Sequence, residues 1–77
     1  LRVLVADEIR GIVRTLMLGL KMMGASPWGV ESAEAAIKAL EDKSADLLLT
    51  DMRMEGMSGV ILWRDAHARW PEMIVCV

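Results

Sequence analysis

Three carboxylates carry the chemistry this chain could do. Asp7 and Glu8 close an apolar run, Arg2-Val3-Leu4-Val5-Ala6, and Asp51 closes a second, Leu47-Leu48-Leu49-Thr50. Short apolar runs bounded by polar residues suit strands covered on both faces. Open parallel α/β sheets bind ligands beyond the carboxyl ends of their strands, so all three acids would stand at the functional rim. Asp also starts turns and helices, and taken alone Asp51 reads equally well as punctuation. If the first and third strands are neighbours, however, the three carboxylates converge. Like charges in one cleft raise each other's proton affinity unless a cation intervenes. Hard oxygen donors with water and a phosphate suit Mg2+. An Asp beside that ion can attack phosphorus and become an aspartyl phosphate, while the metal neutralises charge on the transferring oxygens.

The elements that would position these acids follow in chain order. After Asp7-Glu8, the residues Ile9, Ile12, Val13, Leu16, Leu20 and Met23 recur at helical spacing and share one face, and Gly24 is the expected stop. Arg10, Arg14 and Lys21 lie on the polar flank. Leu18 and Met22 fall on the outer side, as scattered surface residues or as a partner-docking face. Ser26–Val30 reads as a strand at a sheet edge, because Pro27 cannot donate to a ladder and Gly29 weakens a strand interior. Ser32 is the expected N-cap of a second helix, with Glu34 in its first turn and Ala33, Ala36, Ile37 and Leu40 buried. A third helix is expected from about Gly59 to Ala68, burying Leu62, Trp63 and Ala66. Trp70-Pro71 closes it, since the residue before proline avoids helical geometry. Met73–Val77 reads as a fourth buried strand. The order β-α-β-α-β-α-β implies right-handed crossovers and a parallel sheet.

Composition bounds what else the chain could be. Its 77 residues allow one domain. A domain this short buries only about 60–65% of its unfolded surface, so its margin of stability is small. Hydrophobic residues make up 55% of the chain and mean hydropathy is +0.37, yet no stretch approaches a membrane span. There is no signal peptide or lipidation motif. One cysteine, Cys76, precludes an internal disulfide and fits a reducing, cytoplasmic compartment; mid-strand, it reads as a core thiol. Net charge of −2 and a pI near 5.2 leave no basic footprint for nucleic acid. Asp7-Glu8-Ile9-Arg10-Gly11 has neither dinucleotide nor P-loop spacing, which leaves little room for a flavin- or nucleotide-binding enzyme. The one histidine, His67, reads as a surface residue of the third helix.

Together, Val3-Leu4-Val5-Ala6-Asp7-Glu8, the first helix to Gly24, Glu34-Ala35-Ala36-Ile37, Asp46-Leu47-Leu48-Leu49-Thr50-Asp51 and Met54 with Gly56-Met57-Ser58-Gly59 resemble the receiver domain of two-component response regulators. The resemblance covers essentially all 77 residues. It implies a flavodoxin-like parallel sheet of strand order 2-1-3-4, with the family's fifth strand and last two helices absent, so that residues 1–77 are an incomplete, N-terminal part of the domain. It implies Asp51 as phosphoacceptor and a Mg2+ site made by Asp7, Glu8, Asp51 and the backbone carbonyl of Arg53. Glu8 takes the direct-ligand position and Asp7 acts through water. It implies a histidine kinase or phosphotransfer protein as phosphoryl donor and an output domain as the controlled element. It implies no catalytic activity beyond assisting its own phosphorylation, no membrane and no direct nucleic-acid contact.

The sequence departs from the family at Glu55, where proline is usual, at Glu8, where a second Asp is commoner, and at Ile61, where a polar residue is usual. It also stops before the Ser or Thr and the strand-five Lys that would meet the phosphoryl group. A receiver-like interaction module that is not phosphorylated is therefore the alternative function. A chain ending at Val77 would present Ile74–Val77 as a bare apolar edge and is expected to self-associate. The Arg53 side chain, beside the acceptor, either contacts the phosphoryl group or is a solvated surface arginine.

Overall fold

The side chains of Val3, Leu4, Val5 and Ala6 carry no polar group to satisfy, and all four residues are at most 1% exposed. They belong to β1 (Arg2–Ala6), followed by α1 (Arg10–Met22), β2 (Ser26–Val30), α2 (Ala33–Asp42), β3 (Leu47–Thr50), α3 (Gly59–Arg69) and β4 (Ile74–Cys76) in a computed structural model that describes residues 1–54, 56 and 58–77. The features read from Glu55 and Met57 lie outside the described residues. The four strands form one sheet in the order β2-β1-β3-β4, and every pair is parallel. Pro27 and Gly29 therefore lie on an edge strand, where a missing donor is tolerated.

The pleat divides the core in two. Leu4, Ala6 and Leu48 point to the face covered by α2 and α3, where they pack with Ala33, Ala36, Leu40, Met54, Leu62, Ala66 and Met73. Val3 and Val5 point to the other face, against Val13 of α1, with Met17, Leu20, Leu47 and Leu49 half-buried around them. α2 begins at Ser32, whose Oγ accepts the Ala35 N–H at 3.0 Å, as its sequence position required.

The structure corrects four placements. On α1, only Val13 of the six apolar residues at helical spacing is buried and Leu20 is half-buried, whereas Ile9, Ile12, Leu16 and Met23 are exposed. A single helix covers one strip of the sheet, so it buries Val13, half-buries Met17 and Leu20 and leaves the shoulders of its apolar face open. Trp63 is also exposed and stacks in parallel on His67, with ring centroids 5.5 Å apart, while Leu62 and Ala66 are buried as read. In β4, the second edge, Val75 is half-buried and Ile74 is exposed. Cys76 is exposed and is not a core thiol. Leu18 and Met22 point outward, as their wheel positions required.

Candidate functional site at the carboxyl end of the sheet

β1 and β3 are in register, Val3 with Leu47 through Ala6 with Thr50, so the residues after Ala6 and Thr50 emerge side by side. The Asp51 N–H donates to the Ala6 carbonyl at 3.0 Å, and the Asp7 N–H donates to the Val30 carbonyl at 3.2 Å. The ladder thus runs one residue beyond each strand and fixes both backbones. Each carboxylate is then oriented by the same local device. Asp7 Oδ1 accepts the Ile9 N–H at 2.9 Å, and Asp51 Oδ1 accepts the Arg53 N–H at 3.2 Å. An Asp side chain that takes the N–H two residues on mimics a turn and limits its own rotamers.

Asp7, Thr50 and Asp51 line one cavity of about 240 Å3 whose apolar wall includes Val5, Leu16 and Leu49. Asp7 is only 8% exposed and Asp51 is half-buried. Glu8, next in the chain, is exposed and is not part of that wall. The structure therefore brings Asp7 and Asp51 together on one cavity, with Glu8 exposed at its rim, next to Asp7 in the chain. Among the described residues no group of three or more His, Cys, Asp or Glu side chains forms a ready metal centre. Arg53 is exposed, and its backbone N–H, on Asp51, is its described hydrogen bond at the site. A larger cavity of about 620 Å3 opens at the opposite end of the sheet among Asp46, Arg69, Trp70 and Met73, away from the paired acids.

The loop after Asp51 is fixed by residues whose roles sequence alone does not show. Met54 is buried in the α2–α3 core. Gly59, the first residue of α3, donates its N–H to the Met52 carbonyl at 3.1 Å. A Cβ at Gly59 would collide with the Asp51 carbonyl oxygen and the Met52 Cα. Only glycine lets the start of α3 close so tightly on the backbone of Asp51. Ser58 caps the helix, its Oγ accepting the Ile61 N–H at 3.3 Å. The Gly-x-x-Gly spacing was visible in the sequence. The backbone-on-backbone approach behind the second glycine was not.

The family model described as the response regulator receiver domain matches residues 3–77. The chain belongs to this family, the receiver domain of two-component response regulators, whose members are in general regulatory domains. It is 33% identical over 73 residues to the DNA-binding transcriptional regulator NtrC of Klebsiella pneumoniae, covering 95% of this chain and 16% of that protein. A receiver protein from Pseudomonas putida matches with a TM-score of 0.90 at 34% identity, over 99% of this chain and 65% of that one. The response regulator TrrA of Thermotoga maritima, solved in complex with Mg2+-BeF, matches with a TM-score of 0.92 at 26% identity, over 96% of this chain and 64% of TrrA. The same TrrA in complex with the histidine kinase ThkA matches with a TM-score of 0.90 at 26% identity, over 96% of this chain and 64% of that one. The chain thus spans about a sixth of the curated relatives it matches and about two thirds of these solved receivers. No helix among the described residues is long and apolar enough to cross a membrane.

Proposed function

We propose that Asp51 is the phosphoacceptor of a receiver whose phosphorylation switches an output domain. The observation that carries this is the shared cavity. In a chain of this family, Asp51 and Asp7 emerge from adjacent parallel strands and face one volume at the carboxyl end of the sheet. Asp51 Oδ1 is engaged by the Arg53 N–H, so Oδ2 is the attacking oxygen. Its lone pair forms a bond to phosphorus as the bond from phosphorus to the donor's nitrogen or oxygen breaks, and that atom keeps the electron pair. The product is an aspartyl phosphate, whose charge of about −2 replaces the carboxylate's −1 at the rim.

The donor set fits Mg2+: two carboxylates of adjacent strands offer hard oxygens, and that ion completes its shell with water and phosphate oxygens. Asp7, Glu8, Asp51 and the Arg53 carbonyl would hold it. When bound, it neutralises charge on the transferring phosphoryl oxygens. Asp7, held by the Ile9 N–H, keeps a negative oxygen at the cavity wall.

A histidine kinase or phosphotransfer protein is the donor in this scheme, by analogy with TrrA and ThkA. The exposed Leu18 and Met22 of α1 offer apolar surface for that contact. Residues 1–77 act as the N-terminal part of the receiver, and the role implies a cytoplasmic protein. The test is intact-mass measurement after incubation with acetyl phosphate and Mg2+. The chain is expected to gain one phosphoryl group and the Asp51→Asn variant none. An equal gain in both would place the acceptor elsewhere. No gain on the chain, nor on a form extended through the rest of the receiver, would leave an interaction module.

A further inference from the structure

Among the described residues between β3 and α3, Asp51 is anchored by backbone on Ala6, Gly59 by backbone on Met52, and Met54 by its buried side chain. The apex of this loop has a different support. Gly56 turns with a φ of +75°, a conformation that favours glycine. Against that turn lies the carboxyl group of Glu34, from the first turn of α2. A methyl group built at Gly56 would stand 2.9 Å from Glu34 Oε1, 3.8 Å from its Cδ and 4.0 Å from Oε2. Glu34 is an exposed residue, so core packing does not dictate where its side chain goes. It nevertheless lies on an apex 22 residues further along the chain, in another element.

We infer that Glu34 is a positioning residue for the acceptor loop. It pins the Gly56 turn to α2, and through Met54 and Arg53 it sets the backbone whose N–H orients the Asp51 carboxylate. The inference rests on the assignment of Asp51 as phosphoacceptor. Its geometric half, the pinning, is measurable without it. The competing account is helix electrostatics, since an acid in a first turn is favourable wherever it points. Glutamine separates the two. It keeps the length and the acceptor oxygen of glutamate but loses the charge.

The experiment compares the full chain with Glu34→Ala and Glu34→Gln by backbone amide hydrogen exchange and by the rate of phosphoryl uptake from acetyl phosphate. Alanine is a good helix former, so α2 persists in the variant. In Glu34→Ala, exchange at Arg53 and Gly56 is expected to rise, and uptake to slow, by about three- to tenfold, the scale on which losing one polar contact acts. Exchange in β1 should not change. Glu34→Gln should recover both quantities to within about twofold, because its side-chain carbonyl still accepts a hydrogen bond. Loop exchange unchanged in Glu34→Ala overturns the inference. So does a glutamine variant as impaired as alanine, which would assign the effect to the helix dipole. If neither the parent chain nor its extended form takes a phosphoryl group, the acceptor assignment fails on that result, and loop exchange still decides whether Glu34 pins the turn.

Discussion

The two faces of the sheet are built from the same strands and end in different states. Toward α2 and α3, side chains from four strands and two helices close into one core in which Leu4, Leu48 and Leu62 are fully buried. Toward α1, only Val3, Val5 and Val13 are buried, and Leu47, Leu49 and Met17 around them keep part of their surface. Leu48 and Leu49 are consecutive residues of β3 that differ only in which face they meet. The acidic pair belongs to the open side, since Asp7 and Asp51 share their cavity with Val5, Leu16 and Leu49. The closed face supplies the rigidity, through Met54 and Leu62 on either side of the acceptor loop. The open face supplies the access.

The sharpest way to break this contrast is to truncate the two neighbours separately. Leu48→Ala removes a side chain with no exposed surface and leaves a cavity, at an expected cost of about 3–4 kcal/mol. That is a large share of the roughly 4–12 kcal/mol a domain of this length holds. Leu49→Ala removes a half-buried side chain where water already reaches, at an expected cost of about 1 kcal/mol. Urea denaturation of both variants measures the difference. Equal losses would mean that the α1 face is as closed as the other.

A second pair adds volume instead of removing it. At Gly59 an added Cβ meets only backbone, of Asp51 and Met52, which cannot rotate away. Gly59→Ala is expected to cost about 2–3 kcal/mol by overpacking. It should also shift the backbone NMR signals of Asp51 and Arg53. At Gly29, on the α1 side, the added Cβ meets the ends of two side chains, Val13 and Met17. Met17 can adopt another rotamer, but Val13, the nearer of the two, is stiff at χ1 and must give by a small shift of α1, so Gly29→Ala should cost about 1–2 kcal/mol, less than Gly59→Ala. A Gly29 variant as damaged as the Gly59 variant would show that α1 is held more rigidly than its exposure implies.

Much of this architecture was legible in the sequence, for identifiable reasons. Element bounds followed from alternating apolar runs and helical spacing, and the edge position of β2 followed from Pro27. The neighbouring of β1 and β3 was what convergence of the acids required, and the strand pairing supplies it. Burial was less legible, because periodicity reports which residues are apolar and not how much cover exists. Trp63, Cys76 and most of the α1 stripe were read as inside for that reason. Asp7 and Glu8 could not be told apart by type, since only the path of the chain after Ala6 decides which one meets the cavity. The approaches of Gly59 to Asp51 and of Glu34 to Gly56 join different elements, and no local pattern announces them.

The helix starts offer the finest comparison of the two faces. On the closed face, Ser32 and Ser58 each accept an N–H of the first turn, whereas α1 begins at Ile9 with no side-chain cap. Ser32→Ala should cost about 1 kcal/mol. In thermal unfolding that is a fall in Tm of roughly 4–8 °C. Ile9 already has the extended backbone of an N-cap, with φ −92° and ψ 106°, and its side chain is 58% exposed. Ile9→Ser therefore adds a cap and gives up little burial, and it should raise stability by about 0.5 kcal/mol, the low end of a cap's worth. A fall in Tm would mean that α1 starts on the apolar surface of Ile9, and that the open face is held there by packing its exposure conceals.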